Sequence, residues 1–387
     1  MKNILFIHQS ADLYGSDKTL LYLVDAIKND FNPIVVLPEE GPLTEELNKI
    51  NIEVIISPVI KVSRQLFTSL QIIKLPFLMY SAVTALKKTL GNRKIDIVHS
   101  NTLAVFLGAL YSHKYKIKHV WHVHEIIKHP KIVSKAYPYL VNYFSSFVVF
   151  NSQASFNHLC EYHPKLKKKS QIIYNGLDRN LSFITEAEQN ALRKSFFNEL
   201  EPSTLIIGLI GRINKHKGQH LLLNAFEELL LGNNIKNIKL LFIGSTIKKQ
   251  EHLLIELEKA ILEKGIKEHV TVIDFQKDLW KYYDCIDIVI VPTTDPEPFG
   301  LVAVEAMLSK KPVIAANHGG LKEIVLHNNT GLLFEPSNKI ALKNAIEKLI
   351  LNPELITLYG NQGYTRSKLE FSLLKYTNSF KTFYHSI

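Results

Sequence analysis

The chain predicts an α/β architecture of two Rossmann-like, doubly wound parallel-sheet domains in tandem, and three observations predict it. Its 387 residues exceed the size at which one hydrophobic core usually stops growing. Short β-branched apolar runs alternate with amphipathic helical patterns from end to end. The alternation pauses once, at 178–200, where the segment is polar and helical and has no apolar run.

The runs expected as strands are 4–8, 34–37, 54–56, 95–99, 119–122, 147–150 and 171–174 in the first half. In the second half they are 205–210, 239–243, 270–273, 286–291, 312–315 and 331–334. Most carry Val or Ile on both parities, as strands buried on both faces of a parallel sheet do. The segments between them are long enough for crossover helices. The boundary falls near residue 180, giving domains 1–180 and 181–370, and beyond Pro353 only helical patterns remain. The ends of the strands, facing a central cleft, are where a site is expected.

Composition excludes several classes of function. Hydrophobic residues at 46% and charged residues at 21% are a globular balance, not a disordered one. The two cysteines, Cys160 and Cys285, stand in no metal-ligand spacing, so a structural zinc site is not expected and the chain reads as one of a reducing compartment. The opening MKNILFIHQSADLYG reads as a strand and loop, not a secretory leader. The longest nearly uncharged apolar stretch, 75–86, is too short to span a bilayer, which takes about 20 residues. A cytoplasmic protein is the expectation. The formal charge of +10 is uneven, because residues 1–180 hold 22 Lys and Arg against 13 Asp and Glu, while the rest hold 24 against 23. The first half is therefore expected to meet an anionic partner.

The richest stretch is VPTTDPEPFGLVAVEAMLSKKPVIAANHGG, residues 291–320. It reads as a buried strand, a proline-rich loop, a helix starting near Gly300, a second strand and a Gly-Gly turn. Free amides and the dipole at a helix start favour an anion such as a diphosphate. Glu305, inside the helix, suits ribose hydroxyls, and Glu297, ahead of it, suits hydroxyls of a sugar. The plainer alternative leaves Glu297 solvated and Glu305 paired with a lysine. A second stretch, GLIGRINKHKG at 208–218, puts Arg212 and Lys217 at a strand-to-helix turn, where two cations suit a diphosphate. Taken alone, it reads more readily as a solvated basic loop.

Together these motifs resemble the retaining GT-B glycosyltransferases of family 4. The resemblance rests on Gly211-Arg212 with Lys217, on Glu297 and Glu305 with Phe299-Gly300 between, and on Gly319-Gly320 followed by Glu323. In the first half it rests on Gly15-Ser16, His124-Glu125, Asn151-Ser152 and Asn175-Gly176 with Asp178. It runs from about residue 4 to 365 in the family's order. It implies a GT-B fold with an acceptor-binding first domain, a nucleotide-sugar-binding second domain and a C-terminal helix, 371–387, packed back on the first. It also implies roles. Arg212 and Lys217 would hold the diphosphate, Glu305 the ribose and Glu297 the donor sugar. Amides of Phe299, Gly300 and Leu301 would line the phosphates and sugar, and the amide of Gly15 or Ser16 would approach the diphosphate. His124 would stand beside the donor sugar. Pro298 follows Glu297 where the family often has glycine, a known variant. Glu125 stands where aspartate is usual, so no proton transfer is assigned to it. The implied reaction is a front-side transfer with retention, needing neither metal nor cofactor.

On the acceptor side, residues 54–95 carry Lys61, Arg64, Lys74, Lys87, Lys88, Arg93 and Lys94 and no acidic residue. Interleaved apolar residues such as Phe67, Phe77 and Leu78 suit a helix lying in a lipid interface or a groove for a phosphorylated lipid. The plain alternative is a crossover helix with solvated lysines. The expected partners are a nucleotide-diphosphate sugar, a lipid-linked or glycan acceptor and an anionic membrane, placing the protein peripherally on the inner face of the plasma membrane. The Lys-, Ile- and Asn-rich composition suggests an AT-rich bacterial source, where similar enzymes build surface polysaccharide. Two competing readings are another nucleotide-sugar enzyme, such as an epimerase, and a basic nucleic-acid-binding protein. The second lacks any accompanying nucleic-acid-binding motif.

Overall fold

The computed structural model describes residues 1–59, 71–232, 235 and 237–387. The chain divides into two compact units, Met1–Gly176 with Leu373–Ile387, and Leu177–Ser372.

The first unit is a seven-stranded parallel sheet that the chain enters at its middle. β1 (Asn3–His8) is followed on one side by β2 (Asn32–Leu37) and β3 (Glu53–Ile56). On the other side come β4 (Ile97–Asn101), β5 (Lys118–Val123), β6 (Phe147–Phe150) and β7 (Ser170–Ile172). Every neighbouring pair is parallel. Alternate residues of β1 serve two cores. Ile4 and Phe6 pack with Leu20 and Val24 of α1 (Gly15–Ile27) and Leu43 and Leu47 of α2 (Pro42–Lys49). Leu5 and Ile7 pack with Val83 and Leu86 of α3 (Gln71–Leu90) and with Leu107 and Tyr111 of α4 (Phe106–Tyr115). Farther along, α5 (Lys131–Phe144) and α6 (Gln153–Tyr162) close a third cluster around the fully buried Trp121. Burial on both faces is why these strands lack a polar parity.

β4 lies two residues later than its apolar run predicts. His99, Ser100 and Asn101 are polar, yet all three are buried in the strand. Their side chains are bonded, Ser100 Oγ to His119 Nε2 at 2.9 Å and Asn101 to His8 and His124. Partners on other strands offset the burial cost, and a single sequence window does not contain them.

The second unit repeats the plan with six strands. β8 (Leu205–Ile210) is central, with β9 (Ile238–Ile243) and β10 (Val270–Ile273) on one side. On the other side lie β11 (Ile288–Val291), β12 (Val313–Ala316) and β13 (Gly331–Phe334). The helices are α7 (Glu186–Phe196), α8 (Gln219–Leu231), α9 (His252–Glu263), α10 (Trp280–Cys285), α11 (Leu301–Leu308), α12 (Leu321–Ile324), α13 (Lys339–Leu351) and α14 (Pro353–Glu370). α7 begins in a capping box, Thr185 with Glu188. The polar segment around it is tied to this unit by buried charges. Arg179 meets Asp284 with both guanidinium nitrogens at 2.7 Å, and Arg193 meets Asp287 at 3.0 Å.

The last helix, α15 (Leu373–Ser386), belongs to the first unit. It adds Tyr376, Phe380, Phe383 and Tyr384 to the core around Phe6 and Phe31. Tyr384 is fully buried, with its hydroxyl 2.7 Å from His99 Nδ1. Phe380 has no exposed surface, so Phe380→Ala should cost about 3–5 kcal/mol. Urea unfolding followed by circular dichroism reads this as a large drop in midpoint, and an unchanged midpoint would show that α15 is dispensable to the first unit.

Candidate functional site

In each sheet the strand order reverses direction at one point, β1/β4 in the first and β8/β11 in the second. The carboxyl ends of the strands at such a point are the usual ligand position in open α/β sheets. The sequence-expected residues are found at both points.

In the second unit, two loops lie side by side beyond adjacent strands β8 and β11. The first carries Arg212 and Lys217. Asn214 Oδ1 accepts from the amides of His216 and Lys217, both at 2.9 Å, and Gln219 Nε2 donates to Arg212 O at 2.9 Å. Gly218 then caps α8 at φ +80°, where a Cβ would stand 2.0 Å from Pro292 O. Only glycine allows that approach of the two loops. The second loop is clamped to the first by Thr294 N donating to His216 O at 2.9 Å. Lys217 Nζ sits 2.8 Å from Glu297 Oε2, both side chains mostly buried. Glu297 is held from behind as well. Its carbonyl accepts from Gly320 N at 2.7 Å, and Gly319, at φ +58°, lies so close that a Cβ would be 2.2 Å from Glu297 O.

Phe299 is buried, edge-on to Phe371 at 5.7 Å, and Gly300 is the N-cap of α11, whose first residue is Leu301. Glu305, in the second turn, accepts from Tyr283 Oη at 2.7 Å through one carboxylate oxygen. Burial, with the Glu305 charge beside it, pushes the Tyr283 phenol well above its ordinary value, so it stays a donor. Arg212 and Lys217 thus stand on the loop after β8 and Glu297 on the loop after β11, joined by the Lys217–Glu297 pair just ahead of the start of α11, with Glu305 a turn farther into that helix.

In the first unit, Gly15 and Ser16 are the first two residues of α1, where helix amides have no intrahelical acceptor. His124 follows β5. Its ring donates from Nε2 to Asn101 Oδ1, 3.1 Å away. Burial, followed by the His8 charge, holds its pKa down at about 3. Glu125 turns back to accept from the amides of Leu103 and His124, both at 3.0 Å, and so fixes the main chain of His124. Its burial outweighs those bonds and raises it to about 7. Sequence reasoning missed His8, Asp17 and Asn101, which form the buried floor under His124. His8 ends β1 and Asn101 ends β4, so position at a strand's carboxyl end was the available signal.

The basic stretch is only partly described. Lys61 and Arg64 lie outside the described residues, and Lys74 lies in the first turn of α3. The expectation of unanswered positive charge needs correction at the far end. Arg93 pairs with Glu53, and Lys94 with Asp96 at 2.8 Å, carboxylates just outside each end of the counted stretch. Such exposed pairs hold little energy but do reduce the local charge. Lys87 bonds Gly91 O at 2.6 Å, and Lys88 is exposed. α3 does pack one face, through Ala82, Val83, Leu86 and Leu90, but it exposes Phe77 (74%) and Tyr80 (63%). Lys114 Nζ lies 4.6 Å over the Tyr80 ring, and His113, its neighbour, lies against Tyr143 of α5. α5 itself exposes Ile132, Tyr139 and Tyr143. Aromatic and cationic groups therefore continue across three helices. No helix among the described residues is long and apolar enough to cross a membrane.

Two comparisons by sequence and one by structure agree with this geometry. The family model of Glycosyltransferase Family 4 matches residues 15–181, and that of Glycosyl transferases group 1 matches residues 192–366. An uncharacterized glycosyltransferase of Methanocaldococcus jannaschii is 28% identical over 277 residues, 67% of each chain. The capsular polysaccharide biosynthesis glycosyltransferase CapM of Staphylococcus aureus is 29% identical over 206 residues, 53% of this chain and 52% of that one. The crystal structure of HepE of Anabaena, in complex with UDP and glucose, superposes with a TM-score of 0.85 at 25% identity over the whole of both chains.

The buried histidines make the first unit acid-sensitive. Burial holds His99 and His122 well below the ordinary value, His119 at about 4 and His124 at about 3. As pH falls from 6.5 through those values, the unfolded chain takes protons that the native state refuses, and stability is lost. Glu125, raised to about 7, acts oppositely between 4.5 and 7 because the native state takes the proton first. The four histidines outweigh it, each at about 1.4 kcal/mol per pH unit. The urea midpoint should fall between about pH 7.5 and about pH 5. Glu125→Gln should steepen that fall, and a midpoint rising toward acid would contradict the assignment.

Proposed function

The chain is a glycosyltransferase of the GT-B fold, and on that premise we propose that it moves a sugar from a nucleoside-diphosphate sugar to a lipid-linked glycan acceptor with retention of configuration. The observation that carries this reading is the pair of clamped loops at the β8/β11 switch point, with Lys217 and Glu297 joined at 2.8 Å ahead of the start of α11. Arg212 and Lys217 neutralise the diphosphate, Arg212 as a fork and Lys217 as a point charge. Before the donor arrives, Glu297 answers the lysine; with the donor in place, Lys217 is shared with a phosphate and Glu297 turns to sugar hydroxyls. The free oxygen of Glu305 takes the ribose, and amides at 299–301 line the phosphates. HepE of Anabaena, bound to UDP, makes a UDP-sugar the first donor to test.

In the proposed reaction the acceptor hydroxyl attacks C1 of the sugar on the face from which the diphosphate departs. The C1–O bond to phosphate breaks, the new C1–O bond forms, and the departing phosphate oxygen accepts the hydroxyl proton. Stabilising that leaving group is the main task, and two cations with a helix dipole can do it without a divalent ion. Arg212→Ala and Lys217→Ala should each lower turnover on the order of a hundredfold or more, at about 3 kcal/mol per preorganised group. Activity should survive EDTA. Near-normal turnover in both variants, or a loss on chelation restored by Mg²⁺, would reject this donor site.

The acceptor reading rests on the aromatic and basic surface of α3, α4 and α5, which suits the inner, anionic face of a plasma membrane, and CapM supports a role in surface polysaccharide. Each Lys near an anionic leaflet contributes about 1 kcal/mol, screened by salt. Lys87→Gln with Lys88→Gln should weaken sedimentation with anionic vesicles at low salt, and Phe77→Ser should weaken it at high salt too. UDP affinity should not move in either variant. Parent protein that ignores anionic vesicles at low salt would remove the membrane from this reading.

A further inference from the structure

Beneath His124 lies a chain of buried polar groups whose proton positions can be assigned one by one. It begins at Asp17, 1% exposed, in the first turn of α1. Asp17 accepts from Ser10 Oγ at 2.7 Å and from Tyr14 N at 2.8 Å. Burial would raise this carboxyl, but those bonds and His8 outweigh it and hold it below its ordinary value, so it is ionised and can only accept. His8 Nε2, 2.5 Å from Asp17 Oδ1, must therefore carry a proton.

Asn101 comes next, and its amide has one sensible orientation. Its Nδ2 lies 3.4 Å from the main-chain oxygen of Ser16 and 3.0 Å from His8 Nδ1. The carbonyl of Ser16 is an acceptor, so the amide nitrogen belongs on that side and Oδ1 belongs on the other. Oδ1 is 3.1 Å from His124 Nε2, which is thereby made a donor. With the His8 proton on Nε2 facing Asp17, Nδ1 is left as an acceptor for Asn101 Nδ2, in keeping with this orientation. Because burial keeps His124 neutral, it has one ring proton, and Nε2 holds it. No group among the described residues bonds Nδ1.

We propose that Asn101, oriented by His8 and Asp17, is a positioning residue that holds His124 as the Nε2–H tautomer, so that Nδ1 presents a bare lone pair to the ligand. This rests on the proposed sugar transfer and on the place beside the donor sugar that the family resemblance implies for His124, and it says what the histidine can recognise there. A lone pair accepts a hydrogen bond. The group opposite it is therefore a hydroxyl of the transferred sugar, and neither a phosphate oxygen nor a ring oxygen satisfies it. A sugar lacking that hydroxyl leaves Nδ1 desolvated and unpaired, which penalises it. His8, Asn101 and Asp17 do not touch the ligand in this arrangement; they act through His124.

The test is the tautomer itself, read from long-range ¹H–¹⁵N spectra of the ring nitrogens of the full chain, with His124→Gln giving the assignment. In the parent, Nδ1 of His124 should resonate as a bare nitrogen and Nε2 as a protonated one. Asn101→Leu should move both toward a mixture, and Asn101→Asp, which keeps an acceptor at Oδ1, should restore the parent pattern. By calorimetry, Asn101→Leu should weaken UDP-glucose about three- to tenfold, the worth of one hydrogen bond, and leave UDP unchanged. A protonated Nδ1 in the parent, or a pattern indifferent to Asn101→Leu, overturns the proposal. If Asn101→Leu does not fold, the parent and Asn101→Asp spectra still decide it. Equal affinity of the parent for UDP and UDP-glucose, with the Nε2–H tautomer present, overturns the sugar contact and leaves the proton assignment standing.

Discussion

All strands of each sheet run parallel, so every loop that leaves a carboxyl end emerges on the same side. This one constraint organises the molecule. Because the chain enters each sheet at its middle strand and builds outward in both directions, the loops after β1 and β4, and those after β8 and β11, part from each other instead of crossing. In the second unit the two loops are then drawn together by their own side chains. Arg212 and Lys217 leave β8, Glu297 leaves β11, and the Lys217–Glu297 pair with the Thr294–His216 bond closes the short distance between them. Gly218 and Gly319 let backbones touch at these points, where any side chain would separate the loops.

The two switch points are furnished with different chemistry. In the second unit the groups are ionic, partly exposed and suited to phosphate, for which formal charge matters most. In the first unit the row is of imidazoles: the fully buried His99 and His122 and the half-buried His124 line up with ring contacts of 5.4 and 4.0 Å, above the ionised Asp17. A neutral imidazole recognises by direction of hydrogen bonding, not by field. That selectivity has a cost, because a protonated histidine there is disfavoured and acid works against the fold. Tyr384, on the last helix, bonds His99 in the same row, so the C-terminal segment supports the floor of the first unit as well as its core.

Much of the fold was legible in the residues. All thirteen apolar runs are strands, because a strand buried on both faces must be continuously apolar and short. Arg212, Lys217 and Glu297 stand on loops that follow β8 and β11, as their places after apolar runs in the sequence predict, and Glu305 lies inside the helix that the same stretch predicts. β4 was misplaced by two residues for the opposite reason, since His99, Ser100 and Asn101 look like a loop until their partners on neighbouring strands are known. Likewise, the basic stretch looked unanswered because Glu53 and Asp96, which pair with Arg93 and Lys94, stand at its two ends and on different elements.

The sequence by itself determined the alternation of elements, the two-unit division and the types of group at the strand ends, all of which follow from local patterns of polarity. Tertiary structure alone decided which of those groups meet. Asp17, Asn101 and His124 are separated by 84 and 23 positions, and Lys217 and Glu297 by 80. Hydrogen-bond direction, ion pairing and tautomer depend on distances of about 3 Å, and it is the parallel pairing of β1, β4 and β5 in the first unit and of β8 and β11 in the second that brings those side chains so close.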